Sequence, residues 1–92
     1  MDIKEYEILI YEKNFEILPQ KRIDLGNYLK EKREEKRISI INLTDLTGLF
    51  PSDLMKIENG TLNIINPLKL KKIAEVLKLD YKELYKIIGY LD

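Results

Sequence analysis

The stretch INLTDLTGLFPSDLMKIENGT, residues 41–61, constrains this chain more than any other. Two short apolar-periodic segments flank Gly48, and Gly60 closes the second of them. Glycine enters left-handed backbone at little cost, so Gly48 suits the C-terminus of one helix. Pro51 suits the first turn of the next, because its missing N–H would have no helical partner there anyway. The stretch therefore reads as two short helices joined by a tight turn, with Gly60 as the stop.

The same punctuation extends outward. Ser39 is placed to cap the first of these two helices, and Asn66-Pro67 repeats the pattern of cap followed by first-turn proline. Leu70, Ile73, Ala74 and Leu77 then recur at i, i+3, i+4 and i+7, the spacing of an amphipathic helix. Asp80 caps a last helix whose Leu84, Ile87, Ile88 and Leu91 repeat that spacing. Upstream, Asp24 is read as the N-cap of a helix through LGNYLKEKREEK, with Leu25, Tyr28 and Leu29 as its buried stripe. Residues 1–20 differ. YEILIYEKNFEILP is rich in Ile, Tyr and Phe, which favours strand, and its apolar residues form no 3.6-residue stripe. A strand, a hairpin turning near EKN, or an extended arm is expected there, ended by Pro19. The division is an arm over 1–22 and a five-helix domain over 23–92.

Composition removes whole classes of function. A length of 92 residues allows one domain. There is no cysteine and no histidine, so the chain lacks thiolate and imidazole metal ligands and the usual catalytic base. Gly26, Gly48, Gly60 and Gly89 are too scattered to form a phosphate-cradling loop. Thr47 and Ser52 have no histidine to activate them, and Glu34 and Glu35 lie on a lysine-rich helix as ordinary solvated charges. No enzyme, cofactor or metal site is expected. No apolar run reaches the roughly 18 residues of a membrane span, and no signal peptide opens the chain, so a cytoplasmic protein is expected. The net charge is zero, which counts against nucleic acid, but it is unevenly placed. Residues 1–20 set Lys4 and Lys13 against Asp2, Glu5, Glu7, Glu12 and Glu16, leaving the remainder at +3.

Taken together, LGNYLKEKREEKRIS, LTDLTGLFPSDLMKIENGT and LKKIAEVLKLDYKELYKIIGYL resemble the Cro/CI-type (Xre) helix-turn-helix family over residues 25–91. The resemblance implies an all-α, five-helix lambda-repressor-like domain that binds double-stranded DNA with its third helix in the major groove. It implies an ion pair between Arg33 and Glu58 tying that helix to the body. By the same resemblance Pro51, Ser52, Met55 and Lys56 face bases, whereas Ser39, Asn59, Thr61 and Asn63 hold phosphates.

The expected reading face departs from the family pattern. Pro51 stands where Gln or Ser is common, Phe50 replaces a Ser or Thr cap, Asp53 adds a negative charge that Lys56 would have to offset, and Ile40 and Ile41 fill the first turn of the second helix. Three explanations compete: Phe50 and Met55 contact thymine methyls, the arm covers the isoleucines as core, or the face binds protein. Helix five is likewise open to two readings. Tyr81, Tyr85 and Tyr90 surround a stripe that is either core or a two-fold dimer seam. The expectation is a sequence-specific DNA-binding transcriptional regulator acting as a dimeric repressor. The alternative is a helix-turn-helix-derived module that binds a protein partner or antagonises another regulator. Its partner or dimer surface would draw on Ile40, Ile41, Phe50, Leu84, Ile87, Ile88 and Leu91.

Overall fold

The computed structural model describes residues 16–89. The described residues form five helices and no strand: α1 (Pro19–Glu35), α2 (Ile40–Thr47), α3 (Pro51–Glu58), α4 (Pro67–Leu77) and α5 (Tyr81–Ile87). The strand or hairpin expected over residues 1–20 lies outside the described residues as far as residue 15, and residues 16–20 form no strand, Pro19 and Gln20 being helical.

Four helix starts follow from local chemistry. The Ser39 hydroxyl accepts the Asn42 N–H at 3.0 Å, the Asn66 side-chain Oδ1 accepts the Leu68 N–H at 2.8 Å, and the Asp80 carboxylate accepts the Lys82 N–H at 3.0 Å. Each satisfies one of the amides that a helix start leaves unbonded. At α3, Pro51 occupies the first position behind Phe50, which offers no side-chain cap.

The start of α1 corrects the sequence-based expectation. It lies at Pro19 rather than after Asp24, and Leu18 stands at the N-cap without a side-chain bond. Pro19 thus opens a helix instead of ending an arm. Asp24 sits inside α1, where its Oδ1 accepts a bond from Gln20 Nε2, one turn earlier, at 3.0 Å. The helix runs unbroken across residues 22 and 23. Ahead of it, Ile17 is buried, and its N–H donates to the Asn63 carbonyl at 2.8 Å.

The core gathers Leu25 and Leu29 of α1, Leu43 of α2, Leu54 and Ile57 of α3, Leu70, Ile73 and Leu77 of α4, and Leu84 and Tyr85 of α5. Burying a side chain of this size contributes roughly 1.5–3 kcal/mol each, before entropy is set against it. Helix α1 crosses α3, α2 packs on α3 and α4, and α5 closes against α1 and α4.

Among the described residues, the apolar stripe of α5 packs into the core of this chain. Leu84 and Ile88 are buried, and Ile87 is half-buried against the same cluster. Leu84 and Ile88 are therefore removed from the expected partner surface; Leu91 lies outside the described residues. Lys71 covers one neighbour of the stripe, its ammonium 5.1 Å from the Tyr81 ring centre, and Tyr81 meets Tyr85 edge-on at 5.9 Å.

Candidate nucleic-acid interface

Helix α3 is eight residues long and buries Leu54 and Ile57. Its exposed positions are Pro51, Ser52, Met55 and Lys56, with Asn59 at the C-cap. Steps of one and four residues put these on one face of a helix, turned away from the body. The structure therefore brings together the four residues expected to face bases. Among the described residues, none of their side chains makes a hydrogen bond or ion pair with the body.

What fixes this helix lies on its other face. Arg33 of α1 donates from Nε to Glu58 Oε2 at 2.7 Å and from Nη2 to Glu58 Oε1 at 3.0 Å. This is the parallel two-point geometry that a guanidinium makes with a carboxylate. The side chains are only 11% and 8% exposed. The bond to Glu58 comes first among the causes that raise the Arg33 pKa above its ordinary value, ahead of the opposing desolvation. The remaining nitrogen, Nη1, donates to the Ile38 carbonyl at 2.7 Å. One side chain thus ties α3 both to α1 and to the loop that feeds α2.

A second fixture was not anticipated. Gly26, inside α1, lets that helix touch the end of α3 backbone to backbone. A Cβ at Gly26 would lie 2.6 Å from the Ile57 carbonyl oxygen and closer still to that of Glu58. A glycine inside a helix costs roughly 1 kcal/mol relative to alanine. Here the close approach explains its use. A helix-interior glycine was the available signal, but it does not reveal which element comes near.

The turn ahead of α3 is built by Thr47 and Gly48. Gly48 takes the left-handed conformation at φ +73°. The Thr47 hydroxyl donates to the Leu43 carbonyl at 2.7 Å and accepts the Leu49 N–H at 3.2 Å. A threonine able to donate and accept thereby satisfies a buried amide within the turn.

Asp53 is not offset by Lys56. Its Oδ2 lies 2.8 Å from Lys69 Nζ of α4, so charge at the start of α3 is balanced from outside the helix pair. The sixteen-residue separation hides this partner from the sequence.

The candidate phosphate positions all lie at the surface. Ser39, Asn59, Thr61 and Asn63 are all exposed. Ser39 accepts the Asn42 amide and keeps its O–H for donation. The Thr61 hydroxyl leans on the Lys56 carbonyl at 3.3 Å. Of the apolar positions expected to bind a partner, Ile41 is 70% and Phe50 74% exposed, whereas Ile40 is half-buried against the core.

Comparison with known proteins agrees with this geometry. The Cro/C1-type HTH DNA-binding domain model matches residues 28–89. The HTH-type transcriptional repressor RghR of Bacillus subtilis (strain 168) is 33% identical over 67 residues, 73% of this chain and 50% of its own length. A second protein of that strain, named Uncharacterized HTH-type transcriptional regulator RghRB, is 32% identical over 66 residues, 72% of this chain and 48% of its own. This chain spans about half the length of the curated relatives it matches. The span of the family match and the helix-turn-helix of α2 and α3, with α3 tied to α1 by Arg33 and Glu58, lead to one assignment: the chain belongs to the Cro/C1-type helix-turn-helix DNA-binding domain family.

Proposed function

We propose that this protein is a sequence-specific DNA-binding transcriptional regulator, a repressor that acts as a homodimer. The observation that carries the reading is the contrast across α3. Its inner face is fixed by the Arg33–Glu58 pair and the Gly26 contact, while Ser52, Met55 and Lys56 on the outer face are left uncommitted. A helix held this way is preorganised for the major groove, and the exposed Asn59, Thr61, Asn63 and Ser39 are available for phosphate contacts. The similarity to a protein named as a transcriptional repressor supports the regulatory role. Pairing of two copies is supported by the small reach of an eight-residue helix, which covers only a few base pairs.

The test is selection from a random duplex pool with the purified protein near physiological salt. Enrichment of a palindrome with half-sites roughly one helical turn apart is the expected result. Weak salt-sensitive binding with no enriched motif would overturn it. That outcome would favour a second reading, an interaction module for another protein, which the exposure of Ile41 at 70% and Phe50 at 74% supports.

A further inference from the structure

Among the major-groove edges of the bases, thymine alone presents an apolar group, its C5-methyl; the others offer only donors and acceptors. The head of α3 is poor in groups that bond donors or acceptors. Pro51 has none. The carboxylate of Asp53 is drawn to Lys69 at 2.8 Å. Ser52 and Lys56 remain as polar side chains within the exposed face, with Asn59 at its far C-cap end. Beside them stand Phe50, 74% exposed at the N-cap, and Met55, 50% exposed one turn into the helix. Phenylalanine at the cap forgoes the hydrogen bond that serine or threonine would give the helix start, and in water its ring gains nothing in return.

We propose that α3 reads thymine C5-methyl groups, with Phe50 and Met55 as the two apolar contacts. This rests on the DNA-binding reading above and names the base chemistry it uses. Duplex DNA is the occupant that the charge distribution fits. Residues 16–89 carry fourteen Lys and Arg against eleven Asp and Glu, although the whole chain is neutral. Ser39 ahead of α2 and Asn59, Thr61 and Asn63 at and beyond the end of α3 are exposed polar residues available for phosphate contacts.

The experiment changes the DNA first and the protein second. In the duplex enriched by selection, each thymine is replaced in turn by deoxyuridine, which lacks only the methyl. Affinity is expected to fall about fourfold at each contacted position, the value of one buried methyl group. Phe50→Ser should erase the penalty at one such position and Met55→Ser at another, while both variants stay folded, the serine cap of Phe50→Ser raising the thermal midpoint. Equal affinity for the thymine and uracil duplexes at every position, with tight binding retained, would overturn methyl reading and leave DNA binding standing. Absence of any enriched duplex would overturn both.

Discussion

Lys69 of α4 reaches across to α3 and places its ammonium 2.8 Å from the carboxylate of Asp53. The carboxylate stands in the first turn of the helix proposed to face DNA, where an unpaired charge would repel phosphate. Lys69→Gln should weaken DNA binding by about 1 kcal/mol, roughly fivefold, through that repulsion. Asp53→Asn combined with Lys69→Gln should restore wild-type affinity. A double variant as weak as the single one would instead make Lys69 a direct phosphate contact. Lys69 and Asp53 side chains are 35% and 23% exposed, so the pair should add little to folding, about 0.5 kcal/mol.

Gly26→Ala should be among the most damaging small substitutions. The added methyl meets the backbone carbonyls of Ile57 and Glu58, which cannot rotate away. A loss of about 3 kcal/mol is expected, at the upper end of overpacking costs. Urea unfolding reads it, and an unchanged midpoint would show that α1 and α3 separate freely.

Breaking the clamp at Glu58 should cost about 3 kcal/mol, because Glu58→Ala leaves the mostly buried Arg33 without its carboxylate. Arg33→Lys should recover only part of the wild-type stability, since an ammonium cannot donate two parallel bonds. Arg33 has a pKa raised above its ordinary value by the Glu58 bond. Its contribution is thus complete at every pH below the unfolded arginine value and is lost only as pH climbs through the folded one. Arg33 should add no slope to stability between about pH 5 and about pH 9, as thermal melts across that range would show.

Two exposed residues at the interface should fail in different ways. Lys56→Ala should cost roughly 1–3 kcal/mol on the selected operator and relax preference at one base pair, as a base contact does. Asn59→Ala should weaken all duplexes alike and leave the preferred motif unchanged. Titration against the operator and a scrambled duplex separates the two patterns, and a motif altered by Asn59→Ala would exchange the assignments.

Lys78 follows α4 in a left-handed conformation, φ +56°, its N–H bonded back to Ala74 and Glu75. A side chain pays about 1 kcal/mol to sit there, which glycine avoids. Lys78→Gly should therefore raise stability by up to about 1 kcal/mol and leave DNA affinity unchanged. A lowered melting midpoint would contradict this.

Much of the fold is legible where a single residue satisfies local backbone. Ser39, Asn66 and Asp80 are helix caps in the structure as the sequence suggests, and Pro51 and Pro67 take first-turn positions. Asp24 shows how the same rule misleads: a carboxylate on the outer side of a helix resembles a cap, although the helix starts at Pro19. Pro19 at the first helical position is itself a local signal for that start, of the kind read at Pro51 and Pro67, and the buried Ile17 bonded to Asn63 anchors the chain just ahead of it. The stripe of α5 was legible as apolar, but not as buried by this chain or by a second one; burial of Leu84 and Ile88 decides for the former. Arg33 and Glu58 are 25 residues apart, and only the family resemblance joined them in advance. Lys69 and Gly26 had no such guide, since the partner of each belongs to another helix.

Backbone contact between α1 and α3 at Gly26 leaves no rotamer between the two helices to adjust. The angle at which α3 leaves the body is therefore held by that main-chain contact together with the Arg33–Glu58 pair and the buried Leu54 and Ile57, and Ser52, Met55 and Lys56 make no hydrogen bond or ion pair that would set it. If the outward residues read DNA as proposed, recognition and mounting are separate modules in this molecule. The outward residues can be exchanged as a cassette, and a library of new heads grafted onto this frame would inherit its docking angle unchanged.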